Sequence, residues 1–458
     1  MRQPLPVASL LFAAFVFCAD GGLPATARAE QTVEASASSA PADKAELGKL
    51  FDAVIDTVDR RFVDVETLKR LPWRTRAAEI RDSVLNAATT AEAVERINGL
   101  LRELNTSHTA LYTPDDYEYY ILLDIVGGGS ATEVIARKFW GAGPYYPGVG
   151  IFTAKVGERN FVDSVMEGSP ADKAGLKVGD EIISVDGQPY TPVAAFRGKI
   201  GRGVALEIRR ERDGPTQTMQ VDVIPIKPST AFAAATRAGA RVIERNGRRI
   251  GYVRLWSVSD ARNFQNALAA IDPSRAEQPR GRRGGGSGNS PQLDSLIIDM
   301  RGRVGGYVGA ASEMLDILDR GQKPYWGRLD ISGREGDRPN RPDAATPRAQ
   351  TFRGRSIMLT DHHTRSAGEL VAFGYKQGGF GPIMGTPTAG AVTSGAVEMM
   401  PGDLLLYVAV STLEFDGRRI EGAGVAPDQA IERPLAYANG ADPVLDAAVE
   451  KLGGALTR

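Results

Sequence analysis

Ser366 opens the segment SAGELVAFGYKQ, whose apolar spacing is helical and which stops at Gly378-Gly379; the run RSIMLTD before it, Arg355 to Asp361, reads as a buried strand. A hydroxyl between strand and helix has two uses. One is structural: Ser366 as N-cap with Glu369 three residues on makes a capping box, which explains S-A-G-E by itself. The other is chemical: a serine on a sharp turn is exposed, the Ala367 N–H is unpaired at the helix start, and the helix dipole favours negative charge nearby. Acyl transfer needs a reachable nucleophile and donors aimed at an oxyanion. Gly305-Gly306 can bring a second backbone N–H to the same point, since glycine allows close approach and unusual dihedrals.

A serine hydroxyl needs a base, and an imidazole with a pKa near 6.5 serves at neutral pH. The chain has three histidines, His108, His362 and His363. His108 lies in ELNTSHT, Glu103 to Thr109, at the end of a helical region. His362 and His363 are adjacent; neighbours in a strand point to opposite faces and chelate poorly, so they read as loop residues shaping the crevice. Glu421, with Glu414 and Asp416 nearby, is a carboxylate that either stabilises an imidazolium or lies exposed beside a turn.

These side chains depend on the elements that carry them. Two successive units of the second half share one plan: SLIIDM, the glycine turn RGRVGG and the helical YVGAASEMLDILDRG, then RSIMLTD, HHTR and the Ser366 helix. Repeated strand, turn and helix imply a largely parallel sheet whose loops aim helix starts at one crevice. Further upstream, Leu47, Leu50, Phe51, Val54, Ile55 and Val58 predict a helix, as do Val94, Ile97, Leu101 and Leu104 behind a Thr89 or Thr90 cap with Glu92. Residues 43–125 thus read as an N-terminal helical domain. Residues 272–291 and 331–350 are polar, Gly-, Pro- and Arg-rich and aperiodic, and read as mobile insertions outside the folded core.

Gly148 to Tyr190 places short alternating strands around Ser169-Pro170-Ala171, Ala174-Gly175-Leu176 and Gly179-Asp180 before EIISVDG, and this resembles a PDZ domain, here 145–228. Such a domain binds a guest strand and a terminal carboxylate, with Gly148, Val149, Gly150 and Ile151 as the peptide-binding stretch. In order, IGYVRL, LIIDMRGRVGG, TRSAGEL, GTPTAG and RRIEGAGVAPD after a PDZ domain resemble the tricorn-core and C-terminal-processing serine peptidases. The resemblance implies an α/β multidomain protein: N-terminal helical domain, PDZ-like β-rich domain and, over 229–458, a crotonase-like α/β peptidase core with a largely parallel sheet. Its lysine-dependent branch has its base where this chain has Ala391. Its tricorn branch uses a tetrad that falls on His108, Ser366, Ser107 and Glu421, with Glu421 acting through the Ser107 hydroxyl. The oxyanion hole falls on Ala367 with Gly305 or Gly306. The expected activity is a serine endopeptidase acting on protein or peptide substrates, through their C-termini where the PDZ domain recruits them; a catalytically silent peptide-binding scaffold is the alternative on the same fold.

Composition narrows the rest. Arg2, the apolar run from Val7 to Ala19 and Ala27-Arg28-Ala29 read as a signal peptide over 1–29, followed by a flexible lead-in at 30–42. That places the protein in the periplasm or outside the cell, with no stable membrane insertion. Cys18 is the only cysteine and leaves with the leader, excluding a thiol nucleophile and a disulfide framework; bulky Phe17 before it argues against lipid attachment. A formal charge of −1 gives no sign of nucleic acid as a partner. No metal-ligand spacing is present, so no cofactor is expected.

Overall fold

A computed structural model describes residues 42–127, 131, 135, 138–139, 143–273, 292–302, 305–318, 325–333 and 351–454. The leader, Cys18, the lead-in up to residue 41 and most of the two polar insertions lie outside the described residues.

The helix Lys44–Arg61 starts on Asp43, whose carboxylate accepts the N–H groups of Ala45 and Glu46, and buries Leu47, Leu50, Phe51, Val54, Ile55 and Val58. The helix Thr90–Arg102 starts on Thr89, whose hydroxyl accepts the Glu92 N–H at 3.2 Å, while Glu92 takes the Ala88 N–H at 2.7 Å. These helices do not make a separate domain, contrary to the sequence expectation. An apolar stripe on a thin helical layer must be covered, and the cover is the strand Leu404–Phe415, which contributes Leu404, Leu406, Val408 and Ala409 to the same core. The junction is also hydrogen-bonded: Ala110–Tyr112 is a short strand antiparallel to that long strand, with Leu111 opposite Leu406.

The PDZ-like region is a sheet in the order Ile151–Val156, Arg159–Val165, Glu181–Val185, Gly203–Arg209, Thr216–Asp222. Its helix Pro170–Ala174 is capped by the Ser169 hydroxyl and ends on Gly175 at φ 81°. Tyr146–Gly148 pairs with Ile224–Ile226 where the chain enters and leaves.

In the last region six strands run in the order Arg241–Arg245, Arg248–Arg254, Ser295–Asp299, Arg355–Thr360, Ile383–Gly385, Gln429–Ala430. The first pair is antiparallel and each later pair parallel. Helices Arg262–Ile271, Val308–Asp316 and Ala367–Gln377 share one core cluster and Pro443–Gly453 belongs to another. Covered on both faces, every residue of Ser295–Asp299 is buried, which is why SLIIDM lacks polar alternation. One insertion starts later than its polarity suggests. Leu329–Gly333 is a strand paired with Ser411–Phe415, its Ile331 packed against the core, so 331–333 belong to the separate sheet built on Leu404–Phe415.

A buried charge cluster ties the sheet to the last helix. Arg301 donates to Asp299 at 2.9 and 2.6 Å and to Asp442 at 2.7 and 2.7 Å, and the Tyr252 hydroxyl donates to Asp299 at 2.7 Å. Burial alone would raise the Asp299 carboxyl; the charge and hydrogen bonds of Arg301 more than offset it and hold the group far below the ordinary carboxylate range. Asp442 also accepts the Leu445 N–H at 3.0 Å and so caps the Pro443–Gly453 helix.

Candidate active site

The turn from Arg355–Thr360 into Ala367–Gln377 is held on both sides. Asp361 accepts the N–H groups of His363 at 2.9 Å, Thr364 at 3.0 Å and Gly302 at 3.2 Å, and the Thr364 hydroxyl donates to the Met300 carbonyl at 2.8 Å. Ser366 follows with φ 54° and ψ −127°, a conformation that costs an L-residue of order 1–3 kcal/mol and persists where the surroundings enforce it. Its N–H is tied to the Ala391 carbonyl at 2.8 Å.

The Ser366 hydroxyl makes no cap bond. Glu369 is spent elsewhere: its buried carboxylate accepts the Thr388 hydroxyl at 2.5 Å and the N–H groups of Gly390 at 2.7 Å and Ala391 at 2.6 Å. Burial raises its pKa despite these donors. The strained backbone has turned the serine out of capping geometry. The Ala367 N–H, first in the helix, has no acceptor among the described residues.

Opposite, a Cβ on Gly305 would sit 3.8 Å from the Ser366 Cβ, so this glycine lines the serine. Its carbonyl is turned away, accepting the Val258 N–H at 2.7 Å and the Ser257 hydroxyl at 3.1 Å. Gly306 has φ 154°, and a Cβ there would lie 2.2 Å from the Val258 carbonyl oxygen; it is the close-approach position of the turn.

The segment after Ala391 links this serine to the early helical region. Glu421 accepts the N–H groups of Val392 at 2.7 Å and Thr393 at 3.0 Å on one oxygen and the Ser107 N–H at 2.8 Å on the other. This corrects the expected relay, because the carboxylate meets the Ser107 amide rather than its hydroxyl. That hydroxyl lies 2.8 Å from His108 Nδ1 and 2.8 Å from the Thr393 hydroxyl. The segment 391–393 thus touches three of the four predicted residues, Ser366 through its backbone N–H on the Ala391 carbonyl, Ser107 through the Thr393 hydroxyl and Glu421 through the Val392 and Thr393 amides, and His108 joins through the Ser107 hydroxyl. Glu421 is carried in by a loop pressed against the 388–390 turn, where the Gly422 N–H donates to the Gly390 carbonyl at 2.7 Å. The alternatives are engaged elsewhere: Glu414 pairs with Arg419 at 2.6 Å and Asp416 accepts the Arg328 N–H at 2.7 Å.

His108 has φ 57° and its ring centroid lies 5.2 Å from that of Tyr407. Burial pushes its pKa down to about 4, the Arg365 charge adds to this, and Glu421 opposes it. The imidazole is neutral at ordinary pH, the form a general base requires. His362 and His363 lie in a loop, as read from the sequence. The strand ends at Thr360, and in the following turn their ring centroids lie 4.0 Å apart with the planes tilted by 43°, His363 Nε2 being 3.8 Å from Asp163 of the PDZ-like region. Gly148, Val149, Gly150 and Ile151 are all buried, the carbonyls of Val149 and Gly150 taken by Ala171 at 2.9 Å and Met166 at 2.8 Å. Thr393 and Arg365 escaped the sequence reading. Their only signal was position, two residues after Ala391 and one before Ser366.

A serine held out of capping geometry, a neutral imidazole fixed through a hydroxyl, and amides at a helix mouth have the parts of a serine-nucleophile hydrolase site. Residues 249–431 match peptidase family S41 and residues 161–210 match the PDZ domain family. The chain is thus similar to these two families over those stretches. It is similar to two carboxy-terminal processing proteases of Bacillus subtilis (strain 168): CtpB, 26% identical over 304 residues, covering 64% of this chain and 57% of that protein, and CtpA, 25% identical over 333 residues, covering 70% and 62%. The chain therefore spans less than two thirds of the length of these relatives. The tricorn protease of Thermoplasma volcanium is 26% identical over 284 residues, covering 60% of this chain and 24% of that one. Among solved structures, a photosystem II D1 C-terminal processing protease superposes with a TM-score of 0.47 at 20% identity, covering 89% of this chain and 97% of that one.

Proposed function

We propose that this protein is a serine endopeptidase that cleaves exported proteins or peptides through an acyl-enzyme on Ser366. The observation that carries this reading is the Ser366 turn, with a strained φ of 54°, a hydroxyl released from capping and an N–H bonded to the segment that also holds Ser107 and His108. His108 takes the Ser366 proton as the hydroxyl attacks a peptide carbonyl, then returns it to the leaving amine. The N–H groups of Ala367 and Gly305 receive the oxyanion. Glu421 holds Ser107 and 392–393 in one frame and its charge favours the transient imidazolium. The PDZ domain recruits chain ends, a role supported by the carboxy-terminal processing named for the relatives, and the leader read at 1–29 directs the enzyme out of the cytoplasm. A serine-reactive fluorophosphonate probe tests the proposal: it should label the wild type and fail to label Ser366→Ala. A folded wild type that neither labels nor cleaves an unstructured peptide would leave a peptide-binding scaffold.

A further inference from the structure

Three polar groups in line, His108 Nδ1, the Ser107 hydroxyl and the Thr393 hydroxyl, carry protons whose directions decide whether the imidazole is a base at all. A neutral imidazole has one N–H and one lone pair. If Nδ1 accepts from Ser107, the proton sits on Nε2 and the ring's outer nitrogen has no lone pair to offer.

The end of the line settles the direction. Thr393 Oγ1 lies 2.8 Å from the Ser107 hydroxyl and 3.2 Å from the Ser107 carbonyl oxygen. A carbonyl only accepts, so the second contact forms only with Thr393 as donor. With its one proton placed there, Thr393 must accept from the Ser107 hydroxyl, which must in turn accept from His108 Nδ1–H at 2.8 Å. This arrangement makes three hydrogen bonds. The reverse one, in which Thr393 donates to Ser107 and Ser107 to Nδ1, makes two and leaves the Thr393–carbonyl contact empty. Glu421 does not enter the count, because its oxygens meet the backbone N–H groups of Ser107, Val392 and Thr393, while the Ser107 hydroxyl lies against His108 and Thr393.

We infer that Thr393 is a positioning residue whose hydroxyl ends a one-way hydrogen-bond chain and so keeps the His108 proton on Nδ1 and the lone pair on Nε2. In the peptidase reading, on which its catalytic meaning rests, Nε2 is then free to accept the Ser366 proton. Glu421 acts on the same chain by clamping the amides of Ser107 and Thr393, and the Ser107 hydroxyl, itself donating to Thr393, takes the Nδ1–H-accepting role that a carboxylate fills in a Ser-His-Asp arrangement. A valine at 393 keeps the branched shape and amide but can neither accept nor donate.

The test combines imidazole nitrogen NMR with kinetics on wild type, Thr393→Val and Thr393→Ser, the His108 signals being assigned by their loss in His108→Gln. The wild type should show Nδ1 protonated and Nε2 bare. Thr393→Val should move the ring toward the Nε2–H tautomer and lower kcat about 10- to 100-fold at unchanged KM, short of the ~10⁴-fold loss known for a base locked in the wrong tautomer. Thr393→Ser should restore both. A wild type with the proton on Nε2, or a Thr393→Val protein whose spectrum and kcat match the wild type, overturns the inference. The spectrum decides the tautomer even for a chain that turns over no peptide, whereas the peptidase reading stands or falls on Ser366→Ala.

Discussion

Two polar clusters of the molecule use their carboxylates in opposite ways. Around Arg301, two carboxylates, one guanidinium and the Tyr252 hydroxyl neutralise one another at 2.6–2.9 Å, and Asp299 is driven far below its usual pKa. Around Ser107, a single carboxylate faces only amide N–H groups, the imidazole beside it is neutral, and the polar line runs on through hydroxyls. Full opposite charges in contact fix a structure and resist any change of protonation. A chain of neutral groups, framed by a carboxylate that binds backbone, can move a proton with little rearrangement. The first cluster holds the sheet end and last helix together; the second, in the proposed function, moves a proton.

The contrast can be broken at several points. The largest effect belongs to the reacting pair: Ser366→Ala or His108→Ala should lower kcat by roughly 10⁴- to 10⁶-fold, as when members of a hydrolytic triad are removed, while denaturant midpoints stay near the wild type. Arg301→Ala should do the reverse, costing about 3–5 kcal/mol in chemical unfolding because it strands buried carboxylates, with little change in turnover per folded molecule. Equal losses of activity from both substitutions would erase the distinction drawn here. Glu421→Gln puts an amide NH₂ where backbone N–H groups point, and should lower kcat about 10- to 100-fold, worth ~1.4–2.7 kcal/mol of barrier, with a smaller loss of stability.

The mildest test is pH. With the His108 pKa lowered to about 4, the acid limb of kcat/KM should fall near pH 4 rather than near the 6.5 of a free imidazole. The stability sign follows from the same shift. The unfolded chain binds the His108 proton at higher pH than the folded one, so this group's contribution is present above pH 6.5 and is lost as pH falls toward 4. An acid limb near 6.5 would mean that the imidazole is not desolvated as described.

Much of this was legible in the residues, unevenly. The Leu47 and Val94 helices follow from apolar spacing and caps, and the parallel strands from SLIIDM and RSIMLTD, because a strand covered on both faces needs no polar alternation. The boundary of the helical region was not legible, since its missing face is supplied by a strand some 300 residues on and no local pattern records such a debt. At the site, residue types brought out Ser366 and the glycine turn, but S-A-G-E serves a capping box equally well; only the φ of 54° separates the two uses, and backbone strain leaves no mark in composition. The link from Glu421 to the Ser107 amide, and the hydroxyl of Thr393, depend on loops that meet only in the folded chain. A threonine two places beyond Ala391 looks like any other.

The covering of the early helices by Leu404–Phe415 has a consequence for when the proposed site becomes complete. The imidazole rides on a layer that lacks its second face until a strand some 300 residues further on arrives, and its carboxylate frame comes still later, at Glu421. A chain still emerging, or one clipped before that point, carries its nucleophile without a partner. Timing is thereby built into topology: under the proposed function, synthesis through Glu421 is itself the licence to cut.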